Sequence, residues 1–101
     1  MTKTMFYRGG EIGREFSDIE KVIILPSVRE IGFEAFKNAK SLKRVVIPDG
    51  VESIGIDAFY GCESLEEIII PDSVTHIGAR AFWGCKNLKK VVLPSSLYDR
   101  Q

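Results

Sequence analysis

One histidine, His76, and two cysteines, Cys62 and Cys85, are all that 101 residues hold of the side chains most used in metal and thiol chemistry. A lone histidine cannot build a multi-His metal site, and two cysteines are too few for a disulfide scaffold. Excess charge of one sign is missing too: 14 Lys+Arg balance 14 Asp+Glu, so no net field draws the chain to nucleic acid or an anionic membrane. No apolar run approaches the ~18 residues of a membrane span, and residues 1–10 lack the apolar core of a secretory signal. These absences predict a one-domain chain with no cofactor, cytoplasmic as given, or at the cell surface if it is a fragment of a larger protein.

Proline is equally sparse, and its placement is the first sign of order. Three of the four prolines, Pro48, Pro71 and Pro94, stand 23 residues apart. They end three ungapped units: VREIGFEAFKNAKSLKRVVIPDG at 28–50, VESIGIDAFYGCESLEEIIIPDS at 51–73 and VTHIGARAFWGCKNLKKVVLPSS at 74–96. Ile31-Gly32, Ile54-Gly55 and Ile77-Gly78 open each unit. Ala35-Phe36, Ala58-Phe59 and Ala81-Phe82 follow, then Leu42, Leu65 and Leu88. The triplets Val45-Val46-Ile47, Ile68-Ile69-Ile70 and Val91-Val92-Leu93 are rich in β-branched residues and stop at a proline that cannot donate to a ladder, so each reads as one short strand. One strand per repeat implies a parallel stack. Period-two alternation turns Ile68 and Ile70 inward and Glu67 and Ile69 outward. The glycine-punctuated stretch from Ile54 to Glu63 predicts a loop with a short helical or 3₁₀ turn that buries Phe59.

The N-terminal segment is irregular. Ile12-Gly13, Phe16 and the run from Ile23 to Pro26 look like a shortened unit, with 14 positions from Ile12 to Pro26 against 17 from Ile31 to Pro48. Residues 1–27 are therefore expected to form an atypical capping repeat with a fourth strand, ahead of three repeats and a truncated end over 28–101.

The pattern V-x-x-I-G-x-x-A-F-x-x-C-x-x-L-x-x-V-x-I-P resembles the leucine-rich repeats of BspA-like bacterial surface antigens, also called Treponema pallidum-type repeats. Unit one departs by carrying Ala39 where the others have Cys62 and Cys85. The resemblance implies a curved, β-rich α/β repeat solenoid that binds proteins and performs no chemistry, with a short parallel sheet of about four strands and loops or short helical turns opposite.

In such a stack each sequence column becomes a ladder of neighbours about 4.7–4.9 Å apart. Unit one carries a charge of +2, unit two −6 and unit three +4. The columns Lys40/Glu63/Lys86, Lys43/Glu66/Lys89 and Arg44/Glu67/Lys90 each set a carboxylate between cations, which favours register and adds about 0.2–1 kcal/mol per exposed pair. The central outward strand column is apolar: Val46, Ile69 and Val92, continued by Ile24. Exposed contiguous apolar area marks interaction sites, so this stripe, flanked by Arg44, Glu67 and Lys90, is the first expected partner-binding face. A second is the column Lys37, Tyr60 and Trp83, because Tyr and Trp are enriched among interface hot spots.

Other groups look chemical without supporting chemistry. Cys62 and Cys85 share a column within disulfide distance, but parallel side chains are poorly angled for a disulfide, so both read as buried free thiols. His76, in a turn column with Glu30 and Ser53, is too far from Cys85 to activate it. Asp49 and Asp72 follow prolines as turn-forming residues. Residues 9–13 are glycine-rich but lack the Lys-Ser/Thr of a phosphate loop. The sequence thus predicts a non-enzymatic protein-interaction module. Two alternatives are a small phage or mobile-element inhibitor of a host enzyme and a fragment of a bacterial surface adhesin. Chain ends left uncovered after Tyr98 favour a homodimer.

Overall fold

The computed structural model describes residues 3–10 and 18–94. Among these residues eight strands form two parallel sheets: β1 (Thr4–Tyr7), β2 (Lys21–Ile24), β4 (Arg44–Val46), β6 (Glu67–Ile69) and β8 (Lys90–Val92) in one, and the two-residue strands β3 (Glu30–Ile31), β5 (Ser53–Ile54) and β7 (His76–Ile77) in the other. The expected solenoid is present. Lys21 pairs with Arg44, Arg44 with Glu67 and Glu67 with Lys90, an offset of 23 at each step.

The first sheet has five strands among the described residues, where about four were expected. The added one is β1, whose Thr4 pairs with Lys21 at an offset of 17. The second sheet was not anticipated either, because an Ile-Gly step offers only two residues to a ladder. Ile12-Gly13 and Phe16 lie outside the described residues, as does everything after Pro94.

The turn over each Ala-Phe pair is not helical: no helix occurs among the described residues. Backbone bonds there alternate instead. Ala35, Lys37 and Ala39 donate to the carbonyl three residues back, while Glu34, Phe36 and Asn38 donate to Ile56, Ala58 and Tyr60 of the next unit, at 3.0, 2.7 and 2.6 Å. Unit two repeats this toward unit three from Asp57, Phe59 and Gly61. The alternation requires left-handed backbone at two places per unit, seen as positive φ at Glu34, Asp57 and Arg80 and again at Asn38, Gly61 and Gly84. A 3₁₀ turn would spend all its N–H groups internally; this turn uses half of them to bind the stack together.

The core follows the columns. Leu42, Leu65, Ile68 and Ile70 are buried, and Leu88 packs partly buried against the same cluster. The Phe36 and Phe59 rings stack at 5.5 Å, as do those of Phe59 and Phe82. Tyr7 closes the column edge-on against Phe36 at 5.2 Å. Its hydroxyl accepts from the Gly32 N–H at 3.2 Å and donates to the Gly10 carbonyl at 2.9 Å. One and two units later the equivalent N–H groups, of Gly55 and Gly78, donate to Ile31 and Ile54 carbonyls. Tyr7 thus supplies the acceptor that unit one would otherwise take from a preceding rung.

Candidate protein-binding face

Alternation along the five-stranded sheet sends Val22, Ile24, Val45 and Ile68 into the core and their neighbours outward. The predicted stripe is on the outside: Val46, Ile69 and Val92 are 44, 48 and 41% exposed. Its continuation is corrected. Ile24 is buried at 1% exposure, and the residue beside Val46 is Ile23. Counting back from the proline selected Ile24, but the strand register is offset by 23, so Leu25 corresponds to Pro48 and Pro26 lies one residue further on. A one-residue slip exchanges the faces of a strand. Beyond Ile23 stands Phe6, paired with it and 56% exposed. The stripe therefore crosses all five strands as Phe6, Ile23, Val46, Ile69 and Val92. Phe6 escaped the sequence reading because β1 lies outside the 23-residue repeat; the alternation in Thr4-Met5-Phe6-Tyr7 is the only signal for it.

Two residues earlier on β2, β4, β6 and β8 runs the charged column Lys21, Arg44, Glu67 and Lys90, with Thr4 at the same place on β1. Glu67 lies between its two cations, 3.9 Å from Arg44 and 3.7 Å from Lys90. Between the columns is a groove of about 240 Å³ lined by Arg44, Val46, Glu67 and Ile69, among others. Elsewhere the predicted ladders are partly formed. Lys40 pairs with Glu63 at 3.4 Å, but among the described residues Lys43, Glu66 and Lys89 make no ion pair. Two cross-rung pairs were missed: Arg29 with Glu52 at 3.0 Å, and Arg80 with Asp57 through two bonds of 2.9 and 3.3 Å. Asp57 is buried, and its carboxylate raises the Arg80 pKa above its ordinary value.

The second candidate column is a stack in its own right. Tyr60 and Trp83 lie nearly parallel at 4.9 Å, and the Lys37 ammonium sits 5.1 Å from the Tyr60 ring centre. Trp83 remains 60% exposed.

The thiols are free, Cys62 buried and Cys85 half-buried. Each donates 3.2 Å to a carbonyl one rung back, Cys62 to Phe36 and Cys85 to Phe59. Burial pushes the Cys62 thiol up to about 12 and also raises Cys85. Neither is poised as a nucleophile. His76 pairs along the second sheet with Ser53, and its Nδ1 lies 3.1 Å from the Thr75 hydroxyl. Among the described residues no group of three His, Cys, Asp or Glu could hold a metal ion, and no helix is long and apolar enough to cross a membrane.

Comparison with known proteins agrees with this geometry. A leucine-rich repeat protein of Bacteroides ovatus superposes with a TM-score of 0.59 at 29% identity, over 88% of this chain and 30% of that one. The Treponema pallidum leucine-rich repeat protein shares the fold at TM-score 0.56 and 22% identity, over 92% of this chain and 71% of that one. A leucine-rich cell surface protein of Faecalibacterium prausnitzii aligns at 31% identity and TM-score 0.46, over 73% of this chain and 26% of that one. This chain thus spans less than a third of the Bacteroides protein. The search of curated proteins gave no match. The model of the BspA type leucine rich repeat region matches residues 14–100. The chain belongs to the BspA-type leucine-rich-repeat family.

Proposed function

We propose that the chain is a non-enzymatic module that docks a protein partner on the outer face of its five-stranded sheet. Leucine-rich-repeat proteins generally mediate protein–protein interaction and are typically not enzymes. The observation that carries the assignment of the face is the unbroken apolar column from Phe6 to Val92, where a solvated sheet face ordinarily carries polar side chains. Arg44, Glu67 and Lys90 form its charged rim. The stacked Tyr60 and Trp83 form a second, smaller surface.

Affinity capture from the native host with wild type, Ile69→Asp and Trp83→Ala tests this. Partners recovered by wild type and Trp83→Ala but lost with Ile69→Asp support the strand face. Partners retained by a folded Ile69→Asp variant overturn it.

A second reading, that the module works within a larger surface protein, is favoured by the small share of the Bacteroides ovatus protein that the chain spans. Further 23-residue units in the flanking gene sequence would support it, and unrelated flanks would count against it. Self-association through β8 is a separate proposal, supported by the 43% exposure of Val91. The +4 charge of unit three opposes a symmetric form of it, so association by this route strengthens with salt in light scattering.

A further inference from the structure

The stripe's spacing, its flank and its backbone chemistry narrow the kind of partner that fits. Parallel strands repeat every ~4.8 Å, so the five outward residues span about 19 Å in steps of one rung. An α-helix advances 5.4 Å per turn, so about fifteen residues set one turn on each of the five rungs with a cumulative drift of about 2.4 Å. An extended peptide laid the same way repeats a face every ~6.6 Å and falls out of step after two rungs.

Backbone bonding points the same way. The sheet's own N–H and C=O groups lie in its plane and are consumed between strands, so this face offers a visitor only side chains. A helix has already satisfied its backbone internally. An extended chain pressed on Val46 and Ile69 would bury N–H and C=O groups with no acceptors or donors to meet them.

Charge then fixes orientation. One side of the stripe carries nearly all the charge; the positions beyond it are Arg8, Leu25, Pro48, Pro71 and Pro94, with Arg8 on β1 the one charge among them. The charged side reads Lys21, Arg44, Glu67, Lys90 from β2 to β8, with Arg44 and Lys90 well exposed and held by Glu67 only at 3.9 and 3.7 Å. These loose pairs leave both cations available to a visitor.

We infer that the strand face docks an amphipathic helix of the partner protein, laid across the strands with one turn per rung, its flank carrying acid, acid, base, acid opposite Lys21, Arg44, Glu67 and Lys90. This rests on the strand-face reading and specifies its partner.

Fluorescence anisotropy with three labelled synthetic 18-residue peptides tests it. One carries a leucine stripe at helical spacing with the matched flank, one has the four flank charges inverted, and one has the matched composition with two central prolines. The matched peptide is expected to bind about ten-fold more tightly than the inverted one, with the gap closing between 50 and 500 mM salt. The proline peptide and the Ile69→Asp protein are expected to show no binding. Binding that Ile69→Asp abolishes but that ignores flank charge or helicity overturns the helix inference and leaves the strand face standing. Binding indifferent to Ile69→Asp overturns both. Failure of all three peptides to bind overturns the helix inference alone, because host-partner capture reads the face independently.

Discussion

At the scale of single residues, the least repetitive side chain has the most specific duty. The Tyr7 hydroxyl is the acceptor for Gly32 N–H in a site with 1% exposure of the ring. Tyr7→Phe keeps the edge-on contact with Phe36 and strands that donor, so denaturant unfolding should show a loss of about 1–2 kcal/mol. The thiols make a second test at this scale. A folded-state pKa raised above the unfolded value means that the native chain holds the thiol proton more tightly. Stability from this source is complete below the ordinary thiol pKa and falls as pH climbs toward about 12. At pH 8 alkylating reagent is expected to modify half-buried Cys85 first and Cys62 only after denaturant is added, read by mass spectrometry of the two peptides.

At the scale of elements, the repeat made most of the strands legible and left the turns obscure. Val46, Ile69 and Val92 were placed outward from alternation alone, and register confirms the offset of 23. Ile24 went wrong because its strand meets its proline one residue late. β1 is hard to read because its pairing offset of 17 belongs to no repeat, which leaves four alternating residues as its only signal. The turn conformation was hidden for another reason: Glu34, Asp57 and Arg80 adopt left-handed backbone although none is glycine, and composition gives no warning of it. The glycines after Ile54 and Ile77 are different, each pressed against the backbone of the preceding rung. A Cβ on Gly55 would stand 2.7 Å from the Gly32 carbonyl carbon and 2.8 Å from the Phe33 nitrogen, backbone that cannot move aside. Gly84 has positive φ but its Cβ would meet Gly61 at 3.4 Å, an ordinary contact. Gly55→Ala should therefore lower stability by about 1–3 kcal/mol and separate the rungs, with Gly84→Ala costing about 1 kcal/mol in the same melt.

At the scale of the molecule, every strand contact is between adjacent rungs, from β1 through β8 and from β3 through β7. Such a stack has no single centre, and the surface proposed for docking is a line rather than a pocket. The proposed docking face requires residues 6, 23, 46, 69 and 92 to stand in that line. Spin labels at Phe6→Cys and Val92→Cys, in a Cys62→Ala and Cys85→Ala background, measure it directly by pulsed dipolar spectroscopy. Both sites are exposed, so labelling leaves the core intact. Four rungs of ~4.8 Å place the two backbones about 19 Å apart, and a single narrow distance distribution in that region is the predicted result; a broad distribution, or one centred beyond about 30 Å, would contradict the account.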